Sequence, residues 1–452
     1  MSERKKLILV VIDGLTPDVF EDAVSSGSAP ALAFLAEHGA YGRAVSAFPS
    51  LTPVCLTTIA TGAQPDVHRI PHLVWYHRGE RRLVEYGSSF AAVRAAGARR
   101  SLVDAIFNMN EQHLSREAVT VYESLEDARL TTAAVNITCY RGRTPHLALL
   151  PGLTRPAYGP KEFFFYSLFE SQPTGAPVAV FGRSTGSIDA YAGFVGRWLV
   201  TRDGFDLLVY YLPDYDFASH ALGPGASHEA LARSDAAVAA LIEAAGGPDE
   251  FLERYAVIVC SDHGQTRVER QVSLEASFGG VDDVVVTASN RAGQVYRLPG
   301  CAEDLSALAR RLDGADAAEV VLYREGGEAV ARRAGEELRF APADGAWRTS
   351  GDLAILDQPD ALERAWCALA NPNAGDVIVS PPVGVEFLDL AGRGHLGGGS
   401  HGSLEAPDSE VPMLTIGLDG RLPARIADIA PLALTHFGVE PPAYARRLAD
   451  AA

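Results

Sequence analysis

Four apolar segments that end in acidic or other polar residues constrain the fold of this chain more than any other feature. They read LILVVID at 7–13, LLVYYLPDYD at 207–216, AVIVCSDHG at 256–264 and VPMLTIGLD at 411–419. Segments with helical spacing of apolar residues, such as AYAGFVGRWLV and SHEALARSDAAVAALIEAA, lie between several of them. We therefore predict an α/β protein with a mostly parallel central sheet and helices on both faces.

Two parts of the chain interrupt this alternation of strands and helices. Residues 64–185 combine helix and loop patterns with many Pro, Gly and Arg residues, which indicates insertions that shape a pocket. Residues 291–350 contain a strand, a helix and several short strands joined by glycine turns. We therefore predict a core at 1–290 and 351–452, with a small α+β insert or cap at 291–350.

Composition and charge exclude several classes of protein. The 452 residues are 47% hydrophobic, which is enough for a large buried core. The net charge of −18 argues against nucleic acid polymers as partners, because gripping phosphates requires clustered Lys and Arg. The apolar run near the N-terminus stops at Asp13 and is too short for a signal-peptide core or a membrane span. We expect a first buried strand there and no membrane association.

The cysteines indicate a reducing compartment. Their number is odd, and they are widely spaced and mostly set in apolar runs: Cys55, Cys139, Cys260, Cys301 and Cys367. This pattern is typical of reduced, buried thiols rather than of a disulfide framework, so we predict a cytoplasmic protein. A homo-oligomer is compatible with the sequence, which does not define the oligomeric state.

Carboxylates and imidazoles follow the predicted strands, at the edge of a parallel sheet where ligands collect. The candidate metal ligands are Asp13, Asp214, Asp216, His220, Asp262, His263 and His401. Each residue taken alone is more often a helix cap or a satisfied side chain. Their joint occurrence favours a site for one or two divalent ions, with zinc as the first choice and manganese as an ion that uses the same ligand types.

The segment FPSLTPVCLTTIATG at 48–62 places Thr52 directly before a proline at the predicted start of a helix. One interpretation is an N-cap, because Thr can accept from free backbone N–H groups and Pro suits the first helical turn. The other is a nucleophile, because the N-terminus of a helix favours an alkoxide and an approaching phosphate. The second interpretation requires a metal ion to activate the hydroxyl.

These motifs together resemble the alkaline phosphatase superfamily, and most closely its nucleotide pyrophosphatase/phosphodiesterase branch. The motifs stand in the expected order as VIDG, FPSLTPVCLTTIATG, DFASH, SDHG and SHGS, with Thr61 nine positions after Thr52. The resemblance covers residues 5–75, 205–290 and 375–440, and it leaves the insertions unaccounted for. It implies an alkaline phosphatase-like fold.

The resemblance also implies roles for individual residues. Thr52 would be the nucleophile and form a phosphothreonine intermediate. One metal ion would be held by Asp13, Thr52, Asp262 and His263. The other would be held by Asp216, His220 and His401.

The sequence departs from the branch at two positions in the predicted site. A proline usually precedes the motif aspartate, but here Pro213 precedes Asp214, while Asp216 has the four-residue spacing to His220. We therefore predict Asp216 as the metal ligand and keep Asp214 as its alternative. The branch also has an Asn about 21 positions after the nucleophile, where this chain has Leu73. Candidates for the missing donor are Asn136, Arg141, Arg143 and His146, which are equally explained as polar residues of a surface loop.

Rival functions differ in how well they explain these motifs. Sulfatases share the fold but use a Cys or Ser nucleophile in a C-x-P-x-R pattern, which Thr52 does not match. A binding scaffold without turnover would have lost the nucleophile or some of the ligands. We predict a two-metal phosphohydrolase of the phosphodiesterase or nucleotide pyrophosphatase type that acts on a small phosphoester. A phosphonoacetate hydrolase-like enzyme, which cleaves a carbon–phosphorus bond, and a phosphomonoesterase are the alternatives.

Overall fold

The computed structural model describes residues 4–149, 154–176, 187–312 and 317–445. Within these ranges the strands form two large sheets and four two-stranded ribbons. The strands of the large sheets, numbered along the chain, are β1 (Lys6–Ile12), β2 (Ala40–Val45), β3 (Thr132–Val135), β4 (Glu162–Phe165), β5 (Phe169–Glu170), β6 (Leu207–Leu212), β7 (Tyr255–Cys260), β8 (Val284–Ser289), β9 (Ala292–Arg297), β10 (Val320–Glu325), β11 (Glu328–Arg333), β12 (Glu336–Ala343), β13 (Ala346–Gly351), β14 (Val377–Ser380) and β15 (Glu410–Ile416).

The central sheet has eight strands in the order β2-β15-β7-β1-β6-β3-β4-β5. Strands β7, β1, β6, β3 and β4 run parallel to their neighbours in this series. Strand β15 is antiparallel to β7 and β2, and β5 is antiparallel to β4. Because β15 runs in the opposite direction, the polar end of the 411–419 segment does not share an edge with the ends of β1, β6 and β7.

Helices cover both faces of the central sheet, as the sequence predicts. The helices of the described residues, which include those that pack on the second sheet, are α1 (Pro17–Ser26), α2 (Pro30–Glu37), α3 (Thr52–Thr61), α4 (Pro65–His68), α5 (Phe90–Val103), α6 (Val121–Asp127), α7 (Ser187–Thr201), α8 (Asp214–Leu222), α9 (His228–Ala244), α10 (Pro248–Arg254), α11 (Leu305–Arg310), α12 (Ala361–Ala370), α13 (Ala406–Ser409) and α14 (Ile429–His436). A π-helical segment, Asp104–His113, continues α5.

Strand β1 shows how the two faces are formed. Its side chains alternate, so that Leu7, Leu9 and Val11 pack with α3, α6 and α14 on one face. The side chains between them, such as Ile8 and Val10, pack with α1, α2, α7 and α9 on the other. Both cores consist of fully buried apolar residues, which fits an apolar run that is continuous rather than alternating.

The second sheet is antiparallel, with its strands in the order β8-β9-β14-β10-β11-β12-β13. The insert predicted at 291–350 falls inside this sheet, which also takes in β8 before it and β14 after it. Helix α12 packs on one face and α11 on the other. Phe48, from the segment that precedes α3, is fully buried in the α12 core, so this sheet supports the loop that leads to Thr52.

Four two-stranded ribbons complete the strands of the described residues. They pair Val74–His77 with Arg82–Glu85, Thr144–His146 with Ala157–Gly159, Thr266–Arg267 with Gly399–Ser400, and Arg270–Val272 with Val385–Phe387. All five cysteines are buried and form no disulfide bond with another described residue. In the described part of the chain, no helix has the length and apolar character needed to cross a bilayer.

Candidate active site

The carboxyl ends of three adjacent parallel strands bring the predicted site residues together. Asp13 follows β1 directly, and Asp262 and His263 follow β7 after one intervening serine. Helix α8 begins at Asp214, just after β6, and places Asp216 and His220 one turn apart. Residues at positions i and i+4 share one face of a helix, so both side chains turn toward the same edge.

The first group of side chains surrounds Nε2 of His263. Asp13 Oδ1 is 3.3 Å from this nitrogen, and Asp262 Oδ2 is 3.4 Å from it. Thr52 Oγ1 is 3.1 Å from the same atom. Both carboxylates and the imidazole are buried. Three oxygen atoms from three separate elements therefore converge on one nitrogen.

Thr52 is the first residue of α3 and does not act as its cap. The N-cap position is occupied by Leu51, whose backbone is extended, and no side chain bonds to the free N–H groups there. The hydroxyl of Thr52 contacts His263 instead. Of the two interpretations of this threonine, the geometry therefore favours the one in which its hydroxyl belongs to the site.

The second group consists of Asp216, His220 and His401. His220 Nε2 is 3.2 Å from Asp216 Oδ2, and His401 Nε2 is 4.0 Å from Asp216 Oδ1. The rings of His401 and His263 stack with centroids 3.6 Å apart. This stacking makes the two groups neighbours in one continuous cluster of the kind that can hold two ions.

The three histidines of the cluster are oriented in the same way. The Nδ1 atom of His220 is 2.8 Å from the carbonyl oxygen of Gly399, and that of His401 is 2.8 Å from the carbonyl of Ser50. His263 Nδ1 is 3.0 Å from the carbonyl of Gly264. A carbonyl accepts only, so each Nδ1–H donates and each Nε2 is the ring nitrogen that faces the site. Metal-binding histidines are held in this way.

Unpartnered oxygens show that the first group fits a metal ion. Asp13 Oδ1 and Asp262 Oδ2 are buried and have no hydrogen-bond partner among the described residues. Burial, and then the nearby Asp262 carboxylate, raise the pKa of Asp13, and burial also raises the pKa of Asp262. A divalent cation would satisfy both oxygens and the lone pair of His263, and carboxylate, imidazole and hydroxyl ligands suit zinc or manganese.

The second group carries its own charge compensation. Although burial opposes both shifts, the contact with His220 lowers the pKa of Asp216, and Asp216 raises the pKa of His220 to about 9. Gln265 Nε2 donates a hydrogen bond to Asp216 Oδ1. Gly14 lies against this pair with φ +68, and a Cβ atom there would be 2.8 Å from Asp216 Oδ1. Only glycine combines that backbone conformation with that close approach.

The structure separates the two candidate aspartates of α8. Asp214 lies beside Asp189, where the backbone N–H of each residue donates to the carboxylate of the other at 3.2 Å. Burial, and then Asp214, raise the pKa of Asp189 to about 8. Only Asp216 belongs to the cluster with the histidines, which agrees with its spacing to His220.

Two of the predicted phosphate-binding residues are placed elsewhere by the structure. Arg141 is only 4% exposed, and its guanidinium bonds to Glu123 and to three backbone carbonyls. Arg143 is partly exposed and pairs with Glu123 and Asp127. The structure does not favour either arginine as a phosphate ligand, because the donors of Arg141 are used within the fold and Arg143 is paired with two carboxylates. His146 likewise has its Nε2 at 2.8 Å from the carbonyl of Pro160.

Asn136 remains near the site. It follows β3, which is the neighbour of β6 in the sheet, and it is fully buried with φ +61. Its Oδ1 accepts from the backbone N–H of Tyr166 at 3.0 Å, while its Nδ2 has no hydrogen-bond partner among the described residues. An unused buried donor keeps Asn136 as a prediction for substrate binding.

Sequence reasoning missed two residues that contact the cluster. Asn290, in the turn between β8 and β9, has its Nδ2 at 3.0 Å from Nε2 of His401. The ring of His395 stacks on that of His220 with centroids 4.1 Å apart, and its Nδ1 is 2.6 Å from Glu386 Oε1. No motif marks either position, since Asn290 reads as an ordinary turn residue and His395 as part of a glycine-rich loop.

A cavity of about 470 Å³ opens beside these two residues. We name it the His395 cavity. Its lining includes Ser88, Ser89, Asn290, Glu386, Arg393 and His395. Its volume is within the range of pockets that bind small molecules.

Comparison with known proteins identifies a family and a set of similar folds. Residues 7–404 match the family model of type I phosphodiesterase / nucleotide pyrophosphatase. No curated protein matches the chain in sequence.

Two solved proteins illustrate the similarity in fold. Phosphonoacetate hydrolase from Sinorhizobium meliloti 1021, in complex with phosphonoformate, superposes with a TM-score of 0.65 at 19% identity, covering 96% of each chain. Murine ectonucleotide pyrophosphatase / phosphodiesterase 5 superposes with a TM-score of 0.63 at 14% identity, covering 97% of this chain and 96% of that one. At these identities the likeness shows the fold alone.

Proposed function

This chain belongs to the type I phosphodiesterase / nucleotide pyrophosphatase family of the alkaline phosphatase superfamily, and from that membership we propose that it is a two-metal hydrolase with Thr52 as nucleophile. The observation that carries the proposal is the convergence of Thr52, Asp13 and Asp262 on Nε2 of His263. The family match over residues 7–404 confirms the sequence resemblance to this superfamily and the prediction of a hydrolase.

In the proposed mechanism Thr52 attacks phosphorus from the N-terminus of α3. The helix terminus favours the negative charge that develops on Oγ1 and on the phosphoryl group. The leaving group departs on the side opposite the attacking oxygen and takes up the proton that the Thr52 hydroxyl loses. The phosphoryl group stays on Thr52 as a phosphothreonine, and it keeps its second ester group when the substrate is a diester. Water then attacks this intermediate and restores the hydroxyl.

The ligand sets follow from the two groups of the site. Asp13, Thr52, Asp262 and His263 would hold one ion. Asp216, His220 and His401 would hold the other. When bound, two divalent ions would acidify the Thr52 hydroxyl and offset charge on the phosphoryl oxygens. Zinc is our choice for both ions, because carboxylate and imidazole ligands of this kind suit it.

The substrate we propose is a small phosphodiester or nucleotide-type molecule. The second candidate is a small phosphonate, cleaved at its carbon–phosphorus bond. The observation that favours it is the lining of the His395 cavity, which is formed by small polar and charged residues and, in the described part of the chain, includes no phenylalanine, tyrosine or tryptophan to stack on a nucleobase. The buried free thiols support a cytoplasmic location within the same proposal.

The test measures initial rates of hydrolysis by zinc-reconstituted protein for a phosphodiester, a phosphomonoester and phosphonoacetate. Each rate is compared with those of Thr52→Ala and of Thr57→Val. Thr57 is a matched control, because it lies on the same helix and its hydroxyl donates to the carbonyl of Pro53 instead of facing the site.

We expect one substrate class to be turned over, with a loss of at least about 1,000-fold in Thr52→Ala and little change in Thr57→Val. The class that is hydrolysed decides between the two candidates. Equal rates for the wild type and Thr52→Ala on every substrate would contradict the proposal.

A further inference from the structure

The His395 cavity adjoins the second group of the site through two of its walls. Asn290 lines the cavity and bonds to Nε2 of His401. His395 lines it as well and stacks on His220. Thr52 contacts the first group, at Nε2 of His263. The cavity therefore adjoins the group of the site that the nucleophile does not contact in the described structure.

The acidic groups in the cavity wall are already satisfied by the protein. Glu386 is fully buried and accepts from Gln271 and from both the ring and the backbone N–H of His395. Although burial opposes the shift, the hydrogen bond from His395 lowers the pKa of Glu386. Asp389 accepts from the hydroxyl of Ser89 and from the backbone N–H groups of residues 391 and 393. Neither carboxylate needs a ligand.

The groups in the cavity wall that can still form hydrogen bonds are donors. The backbone of Arg393 is held by Asp389, while its guanidinium makes no ion pair with any residue in the described ranges. Asn290 uses one N–H on His401, and its Oδ1 accepts from Ser289, which leaves its second N–H unused. An exposed cation and an amide donor, beside carboxylates that are already bonded, suit an anionic group rather than a cationic one.

We propose that the His395 cavity is the leaving-group subsite and that Arg393 binds an anionic group on the departing half of the substrate. The proposal rests on the function proposed above, because in-line displacement sends the leaving group away from Thr52. The substrate class is thus a small phosphoester or phosphonate whose leaving portion carries a carboxylate or a second phosphate. A guanidinium recognises both groups through paired N–H donors.

The experiment measures dissociation constants by calorimetry on metal-reconstituted Thr52→Ala, which cannot turn the probe over. The probes are phosphonoacetate and isobutylphosphonate, which share one heavy-atom skeleton but differ in the carboxylate. The same constants are measured after adding Arg393→Ala, Arg393→Lys or Arg421→Ala. Arg421 is the matched control, because it is exposed but does not line the cavity. Metal content is determined for each protein. Glycerol phosphate and glycerol diphosphate, compared in the same way, separate a phosphate from a carboxylate as the preferred group.

We expect the probe with the second anionic group, in at least one pair, to bind about tenfold more tightly than the partner that lacks this group, which corresponds to one charge-assisted hydrogen-bond pair. Arg393→Ala should abolish this preference without changing the metal content or the binding of the probe that lacks the second anionic group. Arg393→Lys should retain part of it, Arg421→Ala all of it, and added salt should weaken it.

A preference that survives Arg393→Ala, or the absence of any preference in the parent, would overturn the inference. Ester hydrolysis by the wild-type enzyme is measured in parallel. Hydrolysis without a charge preference removes only this inference. Failure of the wild type to hydrolyse any ester, together with failure to bind either pair of probes, removes the proposed function as well.

Discussion

Replacing Asp13 by Asn should strengthen the metal-free fold while it weakens metal binding. Oδ1 of Asp13 and Oδ2 of Asp262 are buried without partners, and both point at His263. The Asn variant keeps an oxygen for the hydroxyl of Tyr211, which bonds to Asp13 Oδ2. Its new N–H group faces one unused acceptor, the free oxygen of Asp262, and lies beside Nε2 of His263, which Thr52 also contacts.

The size of the effect follows from the spacing of the group. The ligand atoms of Asp13, Asp262 and His263 lie within 4.8 Å of one another. Two unit charges at that distance repel by roughly 3 kcal/mol at an effective dielectric constant of about 20. Protonation relieves part of this cost, since burial raises the pKa of both carboxyls. We therefore expect a gain of about 1–3 kcal/mol in the free energy of unfolding of the metal-free protein.

The assay is urea unfolding of the wild type and Asp13→Asn, first with a chelator and then with excess zinc. Zinc at 100 times its dissociation constant should stabilise the wild type by about 2.7 kcal/mol and the variant by much less. Asp22→Asn, at an exposed position on α1, controls for loss of one negative charge. A variant that is less stable than the wild type in chelator, or one that gains as much from zinc, would refute the reasoning.

Three further substitutions test other parts of the account. Gly14→Ala should lower the zinc content, measured by metal analysis, because its Cβ would approach Asp216 Oδ1 to 2.8 Å at a backbone φ of +68; full zinc occupancy would contradict this. Arg141→Ala should destabilise the fold by about 3 kcal/mol in urea, because it removes the buried partner of Glu123, which then keeps only the partly exposed Arg143. It should leave KM unchanged, whereas a substrate contact would raise KM. His72 is fully buried, and burial lowers its pKa to about 4. The neutral form of His72 therefore stabilises the fold above pH 6.5, and this contribution of roughly 3 kcal/mol is lost as the pH falls toward 4. The free energy of unfolding of His72→Asn should therefore change less with pH between 6.5 and 4 than that of the wild type. An unchanged pH dependence would count against the burial argument.

The sequence was sufficient to predict the parts of the site that depend on local order. Asp13 and Asp262 follow apolar strands, and strands that run parallel in one sheet end at one edge, so their meeting could be expected. Asp216 and His220 are spaced by one helical turn, which predicts a shared face. The antiparallel direction of β15 could not be predicted, because an apolar run in the sequence does not show whether its strand is parallel or antiparallel to its neighbours in the sheet.

The rest of the site depends on contacts between distant parts of the chain. Arg141 was predicted as a phosphate ligand because its sequence position does not reveal a partner within the protein. Its partner, Glu123, lies in α6, and only the fold brings the two side chains together. Asn290 comes from a turn of the second sheet and reaches His401, which is 111 residues away. Neither contact has a spacing or a periodicity that a single sequence reveals. The second sheet also exceeds the predicted insert, since β8 and β14 pair with strands inside it.

The most direct test of the central claim is to look for the covalent intermediate on Thr52. Metal-reconstituted protein is mixed with a substrate that it hydrolyses, the reaction is quenched in acid during turnover, and the peptide that contains Thr52 is analysed by mass spectrometry. The account predicts that Thr52 in this peptide gains the mass of one phosphoryl group, plus that of the retained ester group when the substrate is a diester, and that Thr52→Ala shows no such gain. Turnover with an unmodified Thr52, or with the phosphoryl group on another residue, would contradict the account.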